Sequence, residues 1–260
     1  LSVKGYKSIL ALIFCFTVFF ISFLFPVLQM LYWTIIFPKH LADLNLLELF
    51  FNTILLVFLS SIILISLAFI SNYGNRVSKS KFLEILTTFS ISGYAIPGII
   101  LAVAFITFVS WFDNNVINFF GFSTIKSIFI GSILGLVIVY FVRFYSLASN
   151  GIKSGYLKIN YSIDESAYLL GYSKFKTFKN IHIPYLKNSM LLIGILIAIE
   201  VIKELPITLI MRPFNFETFA TQAYIYASQD LLEAAAAPSL FLILIASFFI
   251  LITSRYILKD

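Results

Sequence analysis

The sequence predicts an all-α, polytopic membrane protein with six transmembrane helices. Three observations carry that reading. Of 260 residues, 60% are hydrophobic and only 12% are charged, whereas a soluble domain is about a quarter charged. A surface facing water needs that charge, and a surface facing lipid excludes it. The mean hydropathy is +1.00. The apolar residues also fall into runs near the roughly 20 residues a helix needs to cross a bilayer. These runs lie at about 9–36, 52–71, 85–110, 127–148, 188–210 and 237–257. Strands of a membrane barrel would be about half as long and would alternate in polarity.

Lys4 and Lys7 ahead of the first run imitate a signal peptide. The run continues from Ile9 to about Phe37, and no small-residue cleavage site closes it, so it reads as a retained span. Pro97-Gly98 interrupts the third run, where a proline kinks a helix and frees a carbonyl that neighbouring helices must satisfy. A packing kink and a break lining a pathway both fit. Gly131 and Gly135 in the fourth run form a small-xxx-small pair that predicts close helix packing.

Orientation follows from the basic residues. With the N-terminus in the cytoplasm, the inner segments hold 14 Lys and Arg, including Arg76 and Arg143, and the outer segments hold 3. Positive residues favour the inner side, so both termini are predicted to be cytoplasmic. The only long inner connection is then 149–187. Ser162 and Glu165 have the spacing of a capping box. Asp164 and Glu165 suit the positive end of a helix. Gly171 fits a left-handed position after the helix. Ser173 is placed to cap a second short helix over 174–180, which Pro184 would end. Ile163, Ala167 and Leu170 give the first helix an apolar face. The membrane surface or a docked protein could cover that face.

This loop resembles that of ATP-binding-cassette importer permeases of the type I architecture, whose pattern is E-A-A, three residues, G, nine residues, I-x-L-P. Here Glu165-Ser166-Ala167, three residues, Gly171, nine residues and Ile181-His182-Ile183-Pro184 keep that spacing, with Ser166 and Ile183 as mild departures. The resemblance implies that Ser162, Glu165, Ala167, Gly171, Ile181 and Pro184 shape the element that seats in an ATPase subunit. His182 falls at the variable position and reads as a surface residue.

A second stretch is similar to the end of ferric-iron importer permeases, which commonly fuse two six-span halves. It runs Lys203-Glu204-Leu205-Pro206-Ile207-Thr208-Leu209, then Arg212-Pro213-Phe214-Asn215-Phe216-Glu217-Thr218-Phe219-Ala220-Thr221. A chain of this length that begins at Leu1 fits a C-terminal half. The whole chain, 1–260, is read as one permease domain with its core at about 50–255. Lys203, Glu204 and Pro206 are candidate pathway or gate residues. Ionisable groups at membrane depth usually pair and face the bundle interior, so a gate and a structural ion pair both stand, with Glu200–Lys203 as a plausible i, i+3 pair. Residues 218–228 are predicted to form a short amphipathic helix with Phe219, Ala223 and Tyr226 on one face.

No phosphate-binding loop pattern occurs, so the chain is not expected to hydrolyse ATP. No catalytic constellation and no metal-ligand spacing is found, and Cys15 is the single cysteine. The resemblance implies ATP and magnesium on partner ATPase subunits and no cofactor on this chain. It also implies an extracytoplasmic substrate-binding protein, a second permease half (fused or separate), the bilayer of the bacterial inner membrane, and no nucleic acid. Thiamine, a phosphonate, sulfate or a polyamine are alternative cargoes. An ion-driven secondary transporter is the alternative class.

Overall fold

The computed structural model describes residues 5–78, 80–112, 115 and 129–257. Among the described residues the secondary structure is helical, without strands. The order is α1 (Tyr6–Phe19), α2 (Phe25–Ile36), α3 (Pro38–Ala42), α4 (Leu46–Ser78), α5 (Lys81–Ile91), α6 (Gly98–Phe112), α7 (Ile133–Tyr156), α8 (Tyr161–Leu169), α9 (Lys174–Thr177), α10 (Ile183–Ile202), α11 (Pro206–Met211), α12 (Phe219–Ser228) and α13 (Leu232–Ile257).

Among the described residues, five rods are long and apolar enough to cross a membrane: Tyr6–Ile36, Leu46–Ser78, Ile133–Tyr156, Lys174–Ile202 and Leu232–Arg255. Two of them contain a wide π turn, at Phe20–Leu24 and at Phe178–His182. Each π turn stands just before a helix with proline in its first turn, Pro26 in α2 and Pro184 in α10. Proline brings no N–H and crowds the carbonyl four residues back. An extra residue in the turn opens that space without ending the helix. Pro184 therefore does not terminate the loop region as the sequence predicts; helix runs through it from Lys174 to Ile202.

The third predicted span differs more. Pro97 does not kink a continuous helix. Between the arms Lys81–Ala95 and Gly98–Phe112 the chain bends by 117°. Each arm has 15 residues, roughly 22 Å of helix, less than the roughly 30 Å of hydrocarbon, so neither crosses alone. The fifth span also ends earlier than predicted, at Ile202, and α11 follows as a separate short helix. Residues 127 and 128 of the predicted fourth span lie outside the described residues. Arg143 sits in the middle of α7, not in an inner segment as counted above.

The core lies where α4, α7 and α10 meet. Leu56, Leu64, Tyr140, Phe144, Ile152 and Ile197 are buried there. α13 packs on α2, α10 and α12, with Phe219 stacked on Phe241. α12 takes its predicted place: Thr218 and Thr221 form its capping box, Phe219 is buried and Tyr226 packs on the same cluster.

The small-residue pair that brings helices together is not the predicted one. Gly131 is in a left-handed turn facing open space, and Gly135 backs onto the Phe129 carbonyl, not onto another helix. The close approach is made by Gly151 and Gly155 of α7. A Cβ at Gly151 would stand 2.5 Å from Ile193 Cγ1, and one at Gly155 would stand 2.8 Å from Leu186 Cδ2, both on α10. We predict that Gly151→Val lowers the thermal unfolding midpoint of the detergent-purified protein by several degrees, since overpacking costs about 1–3 kcal/mol. Gly74→Ala, which meets nothing within 4 Å, leaves the midpoint unchanged or raises it. Equal tolerance of the two variants would contradict the α7–α10 contact.

Candidate functional site

Two polar junctions stand at opposite ends of the rod Lys174–Ile202. The first holds the loop. α8 begins at Asn160, whose side chain accepts from the Ser162 N–H. The Ser162–Glu165 capping box predicted from the sequence does not form, because Asn160 takes the cap two residues earlier; Glu165 is exposed. The helix ends as predicted. Gly171 has φ +78, the Gly171 N–H bonds to the Tyr168 carbonyl, and the Tyr172 N–H bonds to the Ala167 carbonyl, both at 3.0 Å. This pair of bonds is the Schellman closure of a helix C-terminus. Ser173 then accepts from the Lys176 N–H and caps α9.

What fixes α8 to the bundle is Asp164. Arg76, near the end of α4, donates Nε to Asp164 Oδ2 at 2.7 Å, and its Nη2 reaches the carbonyls of Ile159 and Asn160 at 3.0 and 3.1 Å. His182 Nε2 lies 2.9 Å from Asp164 Oδ1. The guanidinium also stacks over Tyr161, 4.2 Å from the ring centre. Tyr73 and Tyr156 flank the His182 ring at 5.1 and 5.4 Å, and Tyr73 donates to the Lys174 carbonyl at 2.6 Å. His182 is not the surface residue predicted; it is fully buried. Its variable motif position gave no hint of this, since the partners that bury it come from α4 and α7.

The outer side of this loop is bare. Leu169, Leu170 and Phe175 are 89%, 79% and 74% exposed. Ser162, Ala167, Leu170 and Ile181 line a shallow depression of about 310 Å3.

The second junction lies where α6, α7, α10 and α11 meet. Pro97 breaks the helix and leaves the Ile96 carbonyl without a helical partner. Arg143 Nη1 donates to it at 2.6 Å. Arg143 Nε lies 3.6 Å from Glu204 Oε2, a longer ionic contact. Glu204 Oε1 accepts from the Ile207 N–H at 3.3 Å, and Thr208 Oγ1 donates to the Glu204 carbonyl at 2.6 Å. Tyr140 closes the set on Thr208. Gly98 allows this meeting: a Cβ there would stand 2.9 Å from Glu204 Oε1 and 3.1 Å from Ile207 Cγ1. Pro206 occupies the first turn of α11, where its missing N–H costs nothing.

The three candidate gate residues therefore part company. Glu204 and Pro206 enter the junction. Lys203 turns outward and pairs with Glu200 at 2.7 Å, as the i, i+3 spacing predicted. Sequence reasoning missed Arg143, Arg76 and Asp164. For the two arginines the available signal was a charge standing alone inside or at the end of an apolar run, which seeks a partner; Asp164, beside Glu165 in the polar loop, carried no such signal.

This bundle is the fold of ABC-importer permeases. Along 96% of the chain it superposes with TM-score 0.74 and 16% identity on 93% of a chain from a bacterial alginate ABC transporter in complex with alginate pentasaccharide-bound periplasmic protein. A chain of a bacterial ABC transporter involved in the import of the acidic polysaccharide alginate gives TM-score 0.71 at 17% identity, over 96% of this chain and 94% of that one. In sequence, the chain is 20% identical over 256 residues to the Fe(3+)-transport system permease protein FbpB 2 of Haemophilus influenzae. That match covers 97% of this chain and 48% of the relative, so the chain spans about half the length of the curated protein it matches. No protein-family model matches the chain.

Asp164→Asn is expected to loosen the loop junction, because removing one partner of a buried pair costs about 3–5 kcal/mol. Thermal unfolding of Asp164→Asn, Arg76→Leu and the double variant Arg76→Leu/Asp164→Asn measures this. The double variant should lose clearly less than the two single losses together. Additive losses would show that the contact holds nothing.

Proposed function

We propose that the chain is the membrane-spanning subunit of an ATP-driven importer of the bacterial inner membrane, and that its cargo is ferric iron. Its loop end faces the cytoplasm. The observation that carries the coupling role is the braced loop: a Gly-terminated helix pinned from behind by Arg76 and Asp164, with Leu169, Leu170 and Phe175 exposed in front. Apolar side chains held rigidly in water are matched to a partner surface, and the spacing from Glu165 to Pro184 resembles the element that seats in ABC ATPases. A separate ATPase, carrying ATP and magnesium, docks there.

Force then has two routes. One passes from Asp164 through Arg76 into α4. The other passes along the rod Lys174–Ile202 to the break at Lys203–Leu205, where Glu204 meets Arg143 and the two helix ends at Gly98 and Pro206. A push on the loop is delivered to a junction of short, interrupted helices, which shift more readily than continuous ones. Opening and closing of the path is assigned there.

Two findings support iron: the relative at 20% identity transports Fe(3+) by its name, and residues 203–221 are similar to the corresponding run of ferric-iron permeases. An extracytoplasmic binding protein and a second permease half complete the transporter in this reading. Alginate, imported by the structural neighbours, is the second cargo to test.

The test uses Gly171→Asp. A Cβ at Gly171 meets nothing within 4 Å, so the local cost is the left-handed backbone alone, about 1–2 kcal/mol. The variant should insert and fold, yet carry a charge on the docking face. Cells carrying the intact locus should take up labelled ferric iron, and the variant should lose that uptake at least tenfold with normal membrane levels. Loss of thiamine, phosphonate or alginate-oligosaccharide uptake instead keeps the importer and replaces the cargo. Normal uptake of every compound by Gly171→Asp removes the coupling role.

A further inference from the structure

Beside the loop junction, α4, α5 and the end of α7 enclose a polar cleft of about 740 Å3. α5 has two opposite faces. Phe82, Ile85 and Phe89 are turned outward and are 69%, 66% and 77% exposed. Ser80, Glu84, Thr87 and Thr88 line the cleft instead.

The charges in the cleft are unequal. Arg76 reaches it, but Asp164 and the carbonyls of Ile159 and Asn160 already hold its guanidinium. Lys153 and Lys158 also line it, and among the described residues neither has an ion-pair partner. Glu84 is the single acid in the lining. Tyr156, only 7% exposed, lines the cleft as well. Its hydroxyl is buried without a hydrogen-bond partner among the described residues. A buried hydroxyl left unmatched is costly, so this one points to a polar ligand. Thr87 and Thr88 spend their hydroxyl hydrogens on the Leu83 and Glu84 carbonyls, so the donors left for a ligand are the two ammonium groups and the Tyr156 phenol. Against them stand Glu84 and the unmatched Asn75 Oδ1, and the balance of charge stays positive, the complement of a phosphate group.

We propose that this cleft binds a phosphate group, carried by the headgroup of an anionic phospholipid. The cleft is much larger than phosphate alone and opens at the end of the spans, where headgroups lie and where lysines attract anionic lipid. The site is independent of the cargo and of the docking face, because Leu169, Leu170 and Phe175 are not part of it.

The test is thermal unfolding of the purified full chain in detergent. It is titrated with phosphatidylglycerol, with phosphatidylcholine and with inorganic phosphate. Phosphatidylglycerol should raise the midpoint at concentrations where phosphatidylcholine does not. The Lys153→Gln/Lys158→Gln variant should need at least tenfold more of it, whereas the charge-matched control Lys174→Gln/Lys179→Gln should respond as wild type. Should the cleft variant fail to fold, Tyr156→Phe keeps the ring, removes only the hydroxyl and should still weaken the response. A lysine-dependent response to inorganic phosphate would keep the site and make its ligand soluble. Equal effects of the two lipids without any phosphate response, or equal weakening by both lysine pairs, would overturn the proposal.

Discussion

In hydrocarbon, a backbone carbonyl or a charge that loses its partner has no water to turn to. That constraint organises this chain. Where Pro97 breaks a helix, Arg143 crosses from α7 to hold the Ile96 carbonyl. Where the chain breaks again after Ile202, Glu204 caps the first turn of α11 with its own side chain. Thr17, Thr53, Thr107 and Thr253 return their hydroxyls to the carbonyl four residues back. The two π turns before Pro26 and Pro184 answer the same demand by a different route, changing helix pitch so that the rod continues. A proline is thus compatible with a long rod when the helix can widen, and it makes a joint when a charged side chain from elsewhere takes over the freed group.

The joints are consequently ionic, and the rods between them are apolar. Arg76–Asp164 and Arg143–Glu204 each join segments far apart in sequence, and each is shielded by aromatic rings or by a packed glycine. An ion pair in such a place does not add much net stability, because desolvating the charges offsets most of their attraction. What it adds is position: a buried charge has to meet its partner, whereas leucines packed on leucines accept many registers. The rod Lys174–Ile202 connects one joint to the other, and Gly151 and Gly155 let it pack closely against α7.

The parts legible in the sequence were those decided locally. The runs of apolar residues gave the rods. Gly171 and Ser173 set one turn and one cap, and Glu200–Lys203 and the Thr218 helix followed from spacing alone. Ser162 misled because Asn160 is an equally good cap two residues earlier, and the turn before the helix decided between them. The remaining failures share a cause. His182 was placed on the surface, Pro97 was left between a kink and a break within one span, and Gly131–Gly135 was read as the close contact, because each depends on a segment distant in the chain. Asp164 suits a helix N-terminus whether or not Arg76, 88 residues earlier, reaches it. The sequence carried a trace of both joints, since Arg143 is the lone charge inside its apolar run and Arg76 ends another. A charge in lipid must find a partner, but the rule does not say which one.

This division also explains why the fold is recognisable and the cargo is less so. At 16% identity the chain still follows an alginate transporter over nearly its whole length, so the architecture tolerates replacement of most side chains. Rods need only be apolar and the right length, and those requirements are met by many sequences. The joints are more demanding, since each needs a matching charge from a distant segment. Ferric iron is proposed instead from the short interrupted segment from Lys203 to Thr221, where the resemblance to ferric-iron permeases concentrates.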